Sequence, residues 1–291
     1  MHLAVLGSLE SWYAADLRRA AAGEHKVTPL TFRQLVASVQ PGGQAMVAGG
    51  FDLRLADAVL VRTMPPGSLE QVVFRMDVLG RLESEGRLVI NPPRAVEAAV
   101  DKYLATARLQ AAGLLVPRTV VCQTVGDAMQ AMADLGGDVV VKPLFGSEGR
   151  GITRLNDEAV ALRVFQTLVP LQAVLYVQEF IPHEGCDLRL LVIGDEILAM
   201  RRRNHADWRT NVARGAIAEP FTPNAAMCGM AMAAAACLGA PLAGVDILPG
   251  RDGRLYLIEV NAVPGWKALA ATLGVDVSRR VLDYIASRIS H

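Results

Sequence analysis

Short apolar segments alternate with stretches of helical periodicity over the first hundred residues of the chain. The segments predicted as strands are 3–6, 26–30, 58–62 and 88–90. Helices are predicted after the first strand, to about residue 22, and before the last strand, over about 68–84. Because strands joined by helical connections form parallel sheets, this alternation predicts a small parallel α/β lobe at the amino-terminal end.

The pattern changes near residue 98. Asp101 is a good N-cap for a helix over 102–112, and Gly113 is a natural C-terminal stop for that helix. Strands and helices then follow one another, and from residue 173 onward strands dominate. The further predicted helices are 124–135, 157–168, 224–238 and 276–289. We expect an α/β lobe followed by two α+β lobes, with bounds at 1–97, 98–177 and 178–291.

The composition argues against two large classes of function. The 291 residues include 29 Lys+Arg and 29 Asp+Glu, so a formal net charge of zero disfavours bulk binding to nucleic acid or a membrane surface. The most apolar stretch, 227–242, is shorter than a membrane span. The four cysteines form no CxxC pair and no metal-ligand spacing, which is typical of reduced thiols in a cytoplasmic protein.

A glycine-rich segment, KPLFGSEGRG at 142–151, directly follows an apolar strand. Gly146, Gly149 and Gly151 let the backbone approach a ligand closely and turn N–H groups toward phosphate oxygens. Lys142 on the strand would place an ammonium near the same phosphates. This is not a Walker A loop, because the lysine precedes the glycines. The alternative interpretation is a glycine-rich hairpin with a lysine that snorkels to solvent.

Three oxygen-bearing side chains lie on two neighbouring predicted strands. Glu259 and Asn261 are two residues apart, so they share one face of their strand, while Asp246 lies on the strand before. Two carboxylates and an amide oxygen suit Mg²⁺ that also holds nucleotide phosphates. The alternative is a set of ordinary solvent-facing positions. Asp246 weakens that alternative, because its segment is otherwise apolar and a buried aspartate needs a cation or donor nearby.

Arginines are concentrated between two of these segments, at Arg189, 201–203, Arg209 and Arg214. For 201–203 a solvated face is the alternative, since runs of like charge are usually exposed. The spacing of Arg209, Asn211 and Arg214 is more specific. Guanidinium forks bind phosphate and carboxylate oxygens, and they neutralise charge that develops during phosphoryl transfer.

A fourth segment, QEFIP at 178–182, ends a predicted strand and on its own is only a strand stopped by proline. The order of all these segments is more informative than any one of them. Together they resemble the ATP-grasp superfamily, and within it the RimK-like glutamate ligases. The resemblance runs from about residue 90 to the end of the chain. The matching stretches are 101–104, 142–151, 178–181, 185–189, 209–211, 214–215, 243–246, 259–261 and 264–265.

The resemblance implies an ATP-grasp fold with an N-terminal Rossmann-like lobe, and a role for each matching residue. The implied contacts of the ATP phosphates are Lys102, Lys142, Arg209 and Asn211. The implied lid over those phosphates contains Gly146, Ser147, Gly149 and Gly151. The implied contacts of adenine and ribose are Glu179, Phe180 and Asp187. The implied ligands of Mg²⁺, with Mn²⁺ as an alternative, are Asp246, Glu259 and Asn261. The implied catalytic arginines are Arg189, Arg209 and Arg214.

The resemblance also implies the reaction. The γ-phosphoryl group of ATP passes to a substrate carboxylate, an amine attacks the acyl-phosphate, and phosphate leaves. L-Glutamate is the expected amine. The alternatives left open are a carrier-protein or protein C-terminal acceptor, and an inactive ATP-binding regulatory module. A homo-oligomer is also left open.

One departure from the family bears on the acceptor. After Asn261 the chain continues Ala262-Val263-Pro264-Gly265-Trp266, where ribosomal-protein-modifying members have small polar residues. Val263 and Trp266 would reshape the acceptor pocket, although a core role for Trp266 is the alternative. An apolar pocket and zero net charge favour a small anionic cofactor precursor with a flat portion, similar to tetrahydromethanopterin.

Overall fold

The structure is a computed structural model that describes residues 1–41, 43–146 and 149–289. The strands in this part of the chain are β1 (His2–Leu6), β2 (Lys26–Leu30), β3 (Leu35–Gln40), β4 (Gly43–Ala48), β5 (Phe51–Asp52), β6 (Ala58–Val61), β7 (Leu88–Ile90), β8 (Thr119–Cys122), β9 (Val139–Lys142), β10 (Thr153–Leu155), β11 (Leu175–Glu179), β12 (Cys186–Ile193), β13 (Glu196–Arg203), β14 (Ile217–Pro220), β15 (Leu242–Pro249) and β16 (Leu255–Asn261). The α-helices are α1 (Trp12–Ala21), α2 (Leu69–Ser84), α3 (Pro93–Val100), α4 (Lys102–Ala111), α5 (Val125–Asp134), α6 (Glu158–Leu168), α7 (Ala225–Leu238), α8 (Lys267–Leu273) and α9 (Val277–Ile289).

The amino-terminal strands form a parallel sheet in the order β2-β1-β6-β7, as predicted. β1 connects through α1 to β2 on one side, and β6 lies on the other side of β1. The strand order therefore reverses between β1 and β6, and in open α/β sheets such a switch point is where ligands bind, beyond the carboxyl ends of the strands.

Three antiparallel strands, β3, β4 and β5, follow β2 and precede β6 along the chain, and they form a separate sheet that was not predicted. Strand β3 lacks the alternation of a half-buried strand, because Val36 is 59% exposed and Val39 is 84% exposed. The Pro-Gly-Gly sequence at 41–43 is a hairpin signal that sequence analysis missed.

The next sheet is antiparallel in the order β10-β9-β11-β8, and α5 and α6 pack against it. The predicted N-cap of α4, the helix before this sheet, is confirmed, because Asp101 Oδ1 accepts a hydrogen bond from the Leu104 N–H at 3.0 Å. Helix α3 was missed. It begins at Pro93, where the fixed φ of proline suits a first helical turn.

The carboxyl-terminal sheet is antiparallel in the order β14-β13-β12-β15-β16. Helix α7 packs against β12 and β15 on one face, and α8, which was not predicted, packs near β13 and β14. This architecture confirms the predicted mixed α/β and α+β class. Within the described residues no helix is both long and apolar enough to span a membrane.

The buried apolar residues divide unequally among these sheets. Two clusters join the amino-terminal sheet to the carboxyl-terminal sheet, since each contains residues of both. A third cluster, formed by residues between 122 and 177, belongs to the sheet of β8–β11 with α5 and α6. In the part of the chain that the structure describes, this central lobe therefore has a core of its own. The two domain bounds, at 97 and 177, remain a prediction.

Candidate active site

The three predicted metal ligands lie on one face of the carboxyl-terminal sheet. In the antiparallel pair of β15 and β16, Asp246 is directly opposite Glu259, and Gly244 is opposite Asn261. Directly opposed residues project to the same side with Cβ atoms about 5 Å apart. Asn261 Oδ1 also accepts a hydrogen bond from the Val263 N–H at 2.8 Å, which leaves a second lone pair on that oxygen. Two carboxylates and an amide oxygen are donors that fit Mg²⁺.

Asp246 is almost fully buried, at 3% exposed, and two guanidinium groups accompany it. Arg189 Nη2 donates to Asp246 Oδ2 at 2.9 Å, and Arg202 Nη2 lies 2.9 Å from the same oxygen. Burial pushes the pKa of Asp246 upward, but the positive charges of Arg189 and Arg202 outweigh burial and hold that pKa below its usual value. The cation that the sequence required beside Asp246 is therefore present.

Asp187 belongs to the same buried network. Arg202 Nε donates to Asp187 Oδ1 at 2.7 Å, and the Thr210 hydroxyl donates to Asp187 Oδ2 at 2.6 Å. Burial raises the pKa of the Asp187 carboxyl despite Arg202. Both of its oxygens thus have protein partners, and contact with a ribose stays a prediction.

Arg202 is a site residue that sequence analysis missed, because the run 201–203 was interpreted as one unit and its three arginines were not assigned to separate faces. Alternate residues of β13 face opposite sides, so Arg201 and Arg203 project away from the site toward Glu219. Arg202 instead lies between Asp187 and Asp246. Strand alternation applied to the run would have separated Arg202 from its two neighbours.

Lys142, at the end of β9 and directly before the glycine-rich loop, is buried. Its Nζ donates to Gln178 Oε1 at 2.6 Å, and Gln178 in turn donates to the Tyr176 and Thr119 hydroxyl oxygens. Burial lowers the pKa of Lys142 to about 8, while the charge of Glu259 opposes that shift. Lys142 therefore lies within electrostatic range of a predicted metal ligand.

Lys102, the first residue of α4, reaches the loop from another element. Its Nζ donates to the carbonyl oxygen of Gly146 at 2.8 Å. Burial lowers the pKa of Lys102, and Glu259 again opposes the shift. The electrostatic influence of Glu259 on both lysines indicates that the two ammonium groups and the predicted metal ligands belong to one site.

The glycine-rich loop contacts the arginine-rich segment. Arg214 Nη2 donates to the Gly149 carbonyl at 3.2 Å. Gly149 has φ +69°, and a Cβ atom there would lie 2.5 Å from Asn211 Oδ1. Only glycine fits so close an approach at that φ. The predicted lid residue Ser147 lies outside the described residues.

Arg209 is held by an acidic neighbour next to this loop. Its Nη2 donates to Asp207 Oδ2 at 2.6 Å, and this hydrogen bond raises the pKa of Arg209. Arg209 Nη1 also donates to the Ile152 carbonyl at 3.4 Å. Arg209, Asn211 and Arg214 therefore lie against residues 149–152, and their roles on phosphate stay predictions.

The predicted adenine contacts lie at the end of β11. The Glu179 carboxylate accepts hydrogen bonds from the backbone N–H and Nε of Arg118, at 2.8 and 2.7 Å. The Phe180 ring packs against the Arg154 guanidinium, whose carbon lies 3.5 Å from the ring centroid. The backbone N–H groups of Glu179 and Phe180 donate to Arg118 and Asp138. In the predicted role, adenine would contact the Phe180 ring and the backbone carbonyl oxygens of Glu179 and Phe180.

Trp266 is fully buried, and its Nε1 donates to the Ser278 hydroxyl at 3.1 Å. The core role that was left open for this residue is therefore the one that its burial supports.

Known proteins share the fold of this chain. Solved ATP-grasp ligases have the same fold: PsnB with a minimal precursor, Mg and ADP gives a TM-score of 0.78 at 22% identity, over 99% of this chain and 97% of the other. A RimK domain protein from Sphaerobacter thermophilus gives 0.75 at 24% identity, over 98% and 99%. These likenesses show an ATP-grasp fold, and this fold implies use of ATP and Mg²⁺.

The family follows from sequence. The model of the RimK-like ATP-grasp domain matches residues 99–285, and the chain belongs to that family. It is 32% identical over 267 residues to the tetrahydromethanopterin:alpha-L-glutamate ligase of Methanosarcina acetivorans, covering 82% of each chain. It is also 31% identical to a probable alpha-L-glutamate ligase of Sodalis glossinidius, over 100% of this chain and 98% of the relative.

Proposed function

We infer that this chain is a ligase that uses ATP and Mg²⁺ to join the amine of L-glutamate to the carboxylate of a small anionic cofactor precursor of the pterin type. The observation that carries the proposal is the pairing of Asp246 with Glu259 on one sheet face, within electrostatic range of Lys102 and Lys142. The glutamate and pterin parts are supported by the names of the relatives.

In this proposal each group acts on the triphosphate or on the acid. Lys142 and Lys102 bind phosphate oxygens, and Arg209 with Arg214 holds the glycine loop over them. Asp246, Glu259 and Asn261 would hold Mg²⁺, which neutralises phosphate charge during phosphoryl transfer. Arg189 keeps Asp246 oriented and ionised. The closed loop excludes water, which would otherwise hydrolyse the acyl-phosphate before the amine attacks.

Several finer points belong to the same proposal. Mn²⁺ would fit the same oxygen donors as Mg²⁺. A cytoplasmic location stays a prediction of the sequence, which leaves the oligomeric state open. A protein or carrier-protein acceptor is the alternative to a small molecule.

The test is a phosphate-release assay with ATP, Mg²⁺, tetrahydromethanopterin and L-glutamate, followed by mass spectrometry of the product. We expect phosphate release that requires both the acid and the amine, and a product heavier by one or more glutamyl residues. If L-aspartate, L-lysine or L-cysteine supported faster turnover than L-glutamate, the proposed donor would be wrong. If a protein C-terminal peptide replaced the pterin with higher kcat/KM, the proposed acceptor would be wrong.

A further inference from the structure

An arginine of the amino-terminal lobe lies buried at the switch point of the parallel sheet. Arg62 directly follows β6, beside the end of β1, where a Cβ atom on Gly7 would lie 3.2 Å from the Arg62 Cβ. The side chain is 5% exposed. Its guanidinium carbon lies 4.0 Å from the Trp266 ring centroid and 4.5 Å from that of Tyr13. Two aromatic rings thus cover the cation.

The hydrogen-bonding capacity of Arg62 is mostly unused. Its Nη2 donates to the Pro264 carbonyl at 2.8 Å. Its Nε and Nη1 are buried and have no acceptor among the residues that the structure describes. Buried polar groups in native proteins nearly always have partners, so two buried N–H-bearing atoms without one point to a missing acceptor.

The charge of Arg62 is equally uncompensated. Burial lowers the pKa of Arg62 to about 10, and among the residues that the structure describes only the phenol of Tyr13 opposes this shift. The guanidinium still carries its charge at neutral pH. A buried cation without a carboxylate beside it is costly, whereas a bound anion would compensate it.

Arg62 also lies close to the predicted metal site. Pro264, whose carbonyl it contacts, is three residues beyond Asn261, so their Cα atoms are at most about 11 Å apart. On the facing strand, a Cβ atom on Gly244 would lie 3.1 Å from the Pro264 Cβ. A small ligand can therefore contact Arg62 at one end and reach the phosphoryl-transfer site at the other.

Tyr13 is the more exposed of the two rings that contact Arg62. It is only partly buried, whereas Trp266 is fully buried, and the two rings meet edge to face with centroids 5.1 Å apart. A Cβ atom on Gly265 would lie 2.7 Å from the Tyr13 hydroxyl, so the ring is closely packed on that side. A rotamer change of Tyr13 would open the guanidinium to a ligand, and side-chain changes of this kind are common on binding.

We propose that Arg62 binds a carboxylate of a small-molecule substrate in the crevice between the carboxyl ends of β1 and β6. The proposal rests on the proposed function, which provides two sources of a carboxylate, the amino-acid donor and the acid acceptor. Arg62 fits a carboxylate because its planar guanidinium keeps several N–H bonds in a fixed geometry.

The experiment compares the full-length wild type with Arg62→Gln and Arg62→Lys. Arg75→Gln is the matched control, because Arg75 is also a buried arginine of this lobe that donates to a proline carbonyl, that of Pro65, at 2.7 Å. L-Glutamate, tetrahydromethanopterin and glutarate are titrated separately, with ADP and Mg²⁺ present, by calorimetry. ADP binding and thermal unfolding of each variant report structural damage.

We expect Arg62→Gln to weaken binding of one carboxylate ligand by about 10- to 100-fold, since a charged hydrogen bond is lost. Arg62→Lys should give a smaller loss, and ADP affinity should stay within about twofold of the wild type. The ligand that loses affinity identifies the source of the carboxylate. Equal losses for all ligands in Arg62→Gln and Arg75→Gln, unchanged affinities, or no carboxylate binding by the wild type would overturn the proposal.

The proposed function and the carboxylate site at Arg62 can be contradicted independently of each other. Absence of phosphate release by the wild type with L-glutamate and tetrahydromethanopterin would count against the proposed function. A glutarate affinity that depends on Arg62 would still support the carboxylate site in that case.

Discussion

The central lobe and the carboxyl-terminal sheet contribute to the same site in different ways. The carboxyl-terminal sheet shares two cores with the amino-terminal sheet, and its site residues are fixed by a buried network of two arginines and two aspartates. The central lobe has its own core, and its glycine-rich loop meets the rest of the site through a few polar contacts. We interpret the first region as a rigid base and the second as a body that can move.

This difference between the two regions suits the roles proposed for them. Metal ligands need fixed geometry, which buried and paired side chains provide. In the proposed function the glycine-rich loop covers ATP and must open for exchange, so contacts to its backbone carbonyls, such as those of Lys102 and Arg214, suit a reversible closure.

Loss of the buried ammonium of the central lobe should have the largest effect. Lys142→Ala should lower kcat/KM by at least about 100-fold, because one preorganised charge at the transferred phosphoryl group is removed. Steady-state phosphate release measures this. Lys26→Ala, on the exposed edge of β2, is the control and should be near wild type. A Lys142→Ala enzyme with wild-type kcat and ATP KM would show that the phosphate-binding assignment is wrong.

The rigid base should depend on Arg202 for stability. Arg202→Met leaves two buried carboxylates without their shared partner, and the free energy of unfolding should fall by about 3–5 kcal/mol. Arg203→Met on the same strand removes only a partly exposed ion pair with Glu219, whose Nε–Oε1 distance is 3.8 Å. The free energy of unfolding should then fall by about 1 kcal/mol or less. Urea unfolding of both variants tests the contrast. Equal losses would mean that the network does not stabilise the sheet.

Arg202 and Glu259 also show how far the sequence alone reaches. The alternation of Glu259 and Asn261 across β16 allowed the metal ligands to be predicted, because strand periodicity is a local property. Strand alternation separates Arg202 from its two neighbours, but the partners of Arg202 follow from the pairing of β12 with β13 and β15, which is a tertiary property. Arg62 follows a strand without any motif around it, and only its burial against two aromatic rings distinguishes it.

The movable loop should be sensitive to a single methyl group. Gly149→Ala adds a Cβ atom that would lie 2.5 Å from Asn211 Oδ1, so kcat should fall by about tenfold if closure is part of the cycle. Gly136→Ala has a similar positive φ, +93°, but its Cβ atom would meet no neighbour within 4 Å. It controls for backbone strain. Equal kcat values for the two variants would show that closure of the loop is not part of the catalytic cycle.

The smallest predicted effect is on the pH profile. Since burial holds the pKa of Lys142 near 8, its ammonium loses its proton as pH rises through that value, and phosphate binding weakens. We expect kcat/KM to fall about twofold between pH 7 and pH 8 and more steeply above. Lys142→Arg should lack this limb, because arginine stays protonated. A wild-type profile that is flat to pH 10 would contradict the assignment of Lys142.

The central claim is that the site forms an acyl-phosphate before the amide. The direct measurement uses an acid acceptor labelled with ¹⁸O in its carboxylate, with ATP, Mg²⁺ and L-glutamate, and mass spectrometry of the released phosphate. Attack of a carboxylate oxygen on the γ-phosphorus, followed by attack of the amine on the acyl carbon, leaves that oxygen on phosphate. We predict one ¹⁸O atom in each phosphate released. Unlabelled phosphate from a labelled acid that is converted to amide would contradict the account.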